Sequence, residues 1–261
     1  MATLRLSGSV GSGSSKKGNP HNDPKDVEAV RDRLVELGFT WVSGVTKGDD
    51  KEFIRTITLF QSICKGKGQA KEGDGRIDLE GNTHRWLAAT NAPKWVKIFA
   101  KTGIGWHNTA DFHETNGGYC TDWLYDRIMD AGLTYRLGSI VSFKADFPPL
   151  WIRECSPEKG GDAKGHKSHE TGLDVDMRLP LLPPDTQNWT FLGSKGYEDK
   201  RYYRDAAEAQ LRAIKAKMDA PVRLFNDPAM IKKGLCTHWN NHQHHYHIRI
   251  KPPTRIDGVY K

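Results

Sequence analysis

The sequence predicts an α+β fold, and three observations carry that reading. From Val27 to Leu87 apolar residues recur at helical spacing. Short apolar runs bounded by turn formers, Leu150 to Cys155 and Val222 to Phe225, read as strands. The stretch from His242 to Ile250 alternates: His245, His247 and Arg249 point one way, Tyr246, Ile248 and Ile250 the other. That is a half-buried strand carrying two imidazoles side by side on its polar face.

Taken in order, residues 1–19 are rich in Gly, Ser and Lys without an apolar period, and read as a flexible or edge-attached leader. Asp23-Pro24 signals a helix start; Val27, Val30, Leu34 and Leu37 come next in register, and Gly38 supplies the stop. Phe53, Ile57, Phe60 and Cys64 mark a second amphipathic helix. After the Gly-rich turn at Asp74-Gly75, Thr83 to Leu87 opens a third. These make residues 20–92 a small three-helix module. Residues 93–117 show weak periodicity and read as a connector packed on the C-terminal domain, with Trp106, His107 and His113 as structural or surface residues. Leu124, Ile128 and Ala131 give a further helix, as do Ala207, Leu211, Ile214 and Met218. No internal repeat is present.

A chain of 261 residues suits one large or two small domains. No apolar run approaches the roughly 18 residues of a membrane span. Met1 to Leu6 lacks the apolar core and cleavage site of a secretory signal, so synthesis in the cytoplasm without the usual export route is expected, and the sequon at Asn188-Trp189-Thr190 carries no weight. The net charge of +7 implies an anionic partner, but the basic residues are scattered, which argues against nucleic acid. Cys64, Cys120, Cys155 and Cys236 form no C-x-x-C pair; free, buried thiols are the expectation for a chain made in the cytosol, with a disulfide formed after export as the alternative.

The chemistry concentrates in two windows, Gly165 to Asp176 and His242 to Ile250. They hold His166, His169, His242, His244, His245 and His247, six of the chain's eleven histidines. Imidazole and carboxylate are the donors of a catalytic zinc, which takes three protein ligands and keeps one position open. Gly172 breaks any helix joining His169 to Asp176, so a loop separates them. Glu170 directly succeeds His169, but no second histidine stands where an H-E-x-x-H helix requires it. His244 falls outside the alternation and is expected to face solvent.

Ser168-His169-x-x-Gly172-x-Asp174-x-Asp176, with His245-x-His247 further on, resembles the penicillin-insensitive murein endopeptidases, within the wider group of lysostaphin-type, D-Ala-D-Ala and hedgehog-type zinc folds. Gly165-His166 and Val222 to Pro228 extend the resemblance, which covers roughly the last half of the chain. It implies a zinc peptidase domain over residues 118–255, with a central antiparallel sheet flanked by helices. It further implies Zn2+ held by His169, Asp176 and His247, with His245 as general base and His242 beside it at the reacting centre. Asp174 would orient a ligand imidazole, and His166 would lie near the site without being a ligand.

In the first part, Phe60-Gln61, Asp74-Gly75-x-Ile77 and Thr83-x-x-Trp86-Leu87 resemble a three-helix peptidoglycan-binding module, although Lys65 to Lys71 forms a longer, more basic insert than that pattern carries. The function implied is cleavage of the D-Ala to meso-diaminopimelate cross-link by a monomeric enzyme that binds peptidoglycan, with no nucleic acid and no membrane span. Such an enzyme would reach the wall through an injection machine or phage lysis. A D,D- or L,D-carboxypeptidase on the same fold is the first alternative, and a non-catalytic peptidoglycan-binding protein with a zinc site is the second.

Overall fold

The computed structural model describes residues 4–13, 16–98, 101–109, 117–142, 147–183 and 193–258. His113 and the Asn188 sequon lie outside them.

Helix α1 (Pro24–Glu36) starts where Asp23 accepts the Lys25 N–H and Pro24 presets the first turn. It buries Val27, Val30 and Leu34. Gly38, at φ +91°, closes it in a conformation that only glycine adopts cheaply; a Cβ there would stand 2.1 Å from the Trp95 carbonyl oxygen. Helix α2 (Lys51–Cys64) is capped by Asp50, whose carboxylate accepts the Glu52 and Phe53 N–H groups, and it buries Phe53, Ile57 and Phe60. Helix α3 (Asn82–Ala88) adds Trp86 and Leu87.

The leader is attached rather than loose. Its strand β1 (Val10–Gly11) pairs with β2 (Arg76–Ile77), Val10 is fully buried, and Asp26 accepts the Ser7 and Gly8 N–H groups.

The described part of the connector contains strands too short to show a period. Among them β3 (Trp95–Lys97) pairs with β6 (Tyr119–Thr121), while β4 (Thr102–Gly103) and β5 (Trp106–Asn108) join the main sheet. Trp106 is buried and the His107 ring packs on Trp151 at 4.6 Å, so both are structural. The main sheet also contains β7 (Leu150–Glu154), β8 (Asp174–Arg178), β9 (Val222–Leu224) and β10 (His245–Arg249). Its order is β4-β5-β7-β8-β10-β9, antiparallel except for the β5/β7 pair. Helices α4 (Asp122–Val141) and α5 (Arg204–Lys217) pack on one another; Tyr135 and Gln210 donate to the carbonyls of Pro148 and Pro149 just before β7. A short helix α6 (Pro228–Lys232) comes after β9, capped by Asp227.

Alternation sets the two faces of this sheet. Ile152, Met177 and Tyr246 stand in one cross-strand row, with Val175 and Ile248 beside it, all fully buried. The opposite face carries Asp174, Asp176, His245 and His247. The four cysteines are free thiols, Cys64 partly buried and the others buried. Among the described residues no helix is long and apolar enough to cross a membrane.

Trp95 ties the helical part to the sheet-bearing part. It is 4% exposed, stacks on Phe39 at 5.9 Å, meets Trp41 edge-on and donates its indole N–H to the Glu158 carbonyl at 2.7 Å. Trp95→Ala should therefore cost about 3–5 kcal/mol through lost contacts and a cavity. The check is chemical denaturation monitored by tryptophan fluorescence and by far-UV circular dichroism.

Candidate metal centre

The site rests on the antiparallel pairing of β8 with β10, which sets His247 opposite Asp176, Arg249 opposite Asp174 and His245 opposite Arg178. The remaining donor comes from the loop before β8. There His169 adopts φ +67°, a left-handed conformation that costs a non-glycine residue about 1–3 kcal/mol. Ser156 helps to hold the turn: its hydroxyl donates to the His169 carbonyl and accepts the Gly172 N–H at 2.7 Å. Gly172 lies against Trp95, Thr121 and Cys120 so closely that a Cβ would stand 2.7–2.9 Å from them.

Hydrogen bonding fixes the imidazoles. His169 Nδ1 stands 3.0 Å from the Cys155 carbonyl, to which only an N–H can bond, so its Nε2 presents a lone pair. His247 Nε2 lies 2.9 Å from Asp174 Oδ1, which in the neutral ring leaves a lone pair on Nδ1. These two nitrogens are 3.1 Å apart, and Asp176 Oδ1 lies 3.2 Å from the first and 2.9 Å from the second. Three acceptors thus face one another in a buried place: His169 and Asp176 are at most 1% exposed and His247 6%. Such a cluster needs a cation at its centre, either a proton or a metal. Without metal, burial would lower the His247 pKa, but the Asp174 and Asp176 carboxylates outweigh it and raise the value to about 9. For Asp176 burial would raise the pKa, yet the neighbouring His169 and His245 hold it well below the usual carboxylate range. The three donor atoms stand 2.9–3.2 Å from one another, close enough to share one metal ion.

His166, expected near the site but not among the ligands, comes within reach of the same group. His166, His169 and Asp176 each bring a donor atom within 4.8 Å of the others, a group that can hold a metal ion. The His166 ring is 4.7 Å from that of His169, and its Nε2 is 2.8 Å from Glu154 Oε2, a contact that raises its pKa. Asp174 accepts from Arg249 Nε at 2.8 Å besides facing His247.

The remaining histidines of the second window cluster at one side. His245 is buried, with Nε2 3.5 Å from Asp176 Oδ2, and burial brings its pKa down to about 3, so it is neutral at pH 7. The His242 ring lies 4.8 Å from His245 and 5.6 Å from His247, and its Nδ1 is 2.8 Å from the Asn240 carbonyl. His244 does not face solvent as expected. It is half-buried, with Nδ1 2.8 Å from His245 Nδ1, where the chain enters β10 at His245.

Glu154 was not singled out from the sequence. A β-bulge between Ile152 and Glu154 shifts the register by one residue and sets Glu154 opposite Asp176, where plain alternation would have placed Arg153. The one available signal was a carboxylate closing a strand whose first three residues are apolar.

No protein-family model matches the chain. Penicillin-insensitive murein endopeptidases of Salmonella arizonae, Salmonella newport and Salmonella paratyphi B are each 31% identical to it over 120 residues. The alignment takes in 37% of this chain and 43% of each relative, so the chain spans less than half the length of the curated relatives it matches. Over that shared stretch the chain is a distant homologue of the penicillin-insensitive murein endopeptidases.

Proposed function

We propose that the chain is a zinc-dependent peptidase that hydrolyses peptide cross-links of bacterial peptidoglycan, with the D-Ala to meso-diaminopimelate bond as its target. The observation that carries this reading is the meeting of His169 Nε2, His247 Nδ1 and Asp176 Oδ1 within 2.9–3.2 Å, three lone-pair donors in need of a cation. Similarity to murein endopeptidases supports the substrate class.

In this reading His169, Asp176 and His247 hold the zinc, and Asp174 orients His247 through its distal nitrogen. When bound, zinc supplies Lewis-acid polarisation of a carbonyl and acidifies water. His245, buried and neutral, takes the proton of the attacking water and returns it to the leaving amine. His242 donates its Nδ1–H to the Asn240 carbonyl, which leaves the Nε2 lone pair to accept from the same attacking water. The deciding experiment pairs metal analysis of the purified chain with mass spectrometry of digested murein. Uncross-linked monomers from cross-linked dimers support the endopeptidase; loss of a terminal D-Ala alone supports a carboxypeptidase; no soluble product leaves only a binding role.

The helical part is assigned to wall binding. The full chain, inactivated with a chelator, should sediment with murein sacculi at low salt and remain bound in part at 1 M salt, where the Debye length falls to roughly 3 Å. Complete release at high salt would leave charge attraction as the whole of the binding.

A further inference from the structure

We propose that the loop leaving α2, around Lys67 to Ala70, is a positioning element of the metal centre, acting through Glu170 and Thr171. This rests on the metal-dependent reading of the site. The loop belongs to the insert that departs from the wall-binding pattern, and it lies on the turn that carries His169. The Glu170 N–H donates to the Gly68 carbonyl at 3.1 Å, and the Glu170 carboxylate accepts the Ala70 N–H at 2.8 Å. The Thr171 hydroxyl donates to the Lys67 carbonyl at 2.6 Å. Both residues next to His169 on its C-terminal side are thus clamped by backbone from about 100 positions earlier in the chain.

A clamp matters here because His169 sits at φ +67°, a conformation that surrounding contacts must enforce. Ser156 holds the His169 carbonyl and the Gly172 N–H; the insert holds the two residues between. The same loop touches a second support of the site. Gly68 lies so close to the Arg249 guanidinium that a Cβ would stand 2.0 Å from Nη2, and Arg249 donates to Asp174, which faces His247. Two of the three acceptors at the centre are therefore braced from one loop of the helical part. This also gives Glu170 an assignment: its carboxylate is used on Ala70, not as a base.

The test uses the full-length chain and reads metal affinity by competition with a chromogenic chelator, together with the visible spectrum of the Co2+ form. Glu170→Ala removes the acceptor for Ala70, and Thr171→Val removes the donor to Lys67. Each should weaken Zn2+ binding by about tenfold, as loss of a supporting partner does, and should alter the Co2+ spectrum. Glu170→Gln and Thr171→Ser keep the hydrogen bonds and should restore both readouts. Thermal unfolding of the metal-free forms controls for general destabilisation; if one truncating variant does not fold, the other carries the test. Wild-type affinity and spectrum in the truncating variants, or failure of the conservative ones to rescue, would overturn the proposal. A wild-type chain that binds metal but releases no murein fragments refutes the peptidase reading and leaves this one standing. A wild-type chain that binds no metal removes both.

Discussion

His169→Ala should abolish metal binding and, with it, hydrolysis of murein. The expected loss exceeds the roughly 10–100-fold that removal of an orienting partner costs, because the substitution removes a donor atom itself. His169 is fully buried, its Nδ1 is committed to the Cys155 carbonyl, and its Nε2 faces Asp176 and His247. A structural role alone would also destabilise the variant, so loss of activity does not decide the matter. The zinc dependence of stability does. A ligand present at about 1,000 times its dissociation constant stabilises the folded state by about 4 kcal/mol. Wild-type protein should show that gain on saturation with Zn2+, and His169→Ala should show almost none. A variant with full zinc content and the wild-type stability gain would remove His169 from the ligand set.

The legible parts of the molecule are those in which local pattern and burial agree. Alternation from His245 to Ile250 placed two histidines on one face because Tyr246 and Ile248 on the other are core residues, and β10 spans nearly that range. Helices α1 and α2 were legible for the same reason, with Asp23 and Gly38 punctuating the first. Strands β3, β4 and β5 were not, since two or three residues hold no period and their pairing depends on partners distant in sequence. Glu154 was hidden by a bulge, which alternation cannot foresee. The docking of the insert on Glu170 and Thr171 was hidden for another reason: its contacts are largely backbone groups, which leave no signature in side-chain chemistry. Legibility thus fails where long-range backbone contacts, rather than side-chain pattern, build the site.

His245→Ala should retain metal and lose catalysis by at least about 10²-fold, the usual contribution of a positioned general base. Geometry separates this residue from the proposed ligands. His245 and His247 share one face of β10, yet only His247 has a ring nitrogen within 3.1 Å of both His169 and Asp176. His245 Nε2 stands 3.5 Å from the other oxygen of Asp176, beside the donor cluster, where it can meet a water held between substrate and metal site. The ring is uncharged at pH 7. A pKa as low as about 3 makes it a weak proton acceptor, so its position rather than its basicity supports the role. Truncation therefore removes the proton acceptor while leaving His169, Asp176 and His247 in place. The measurements are zinc content and kcat on a soluble cross-linked muropeptide, with KM determined separately. A fall in kcat at unchanged zinc content supports the role of base. Loss of zinc would instead make His245 a ligand and displace one of the other three from that role, while wild-type kcat would pass the base to His242.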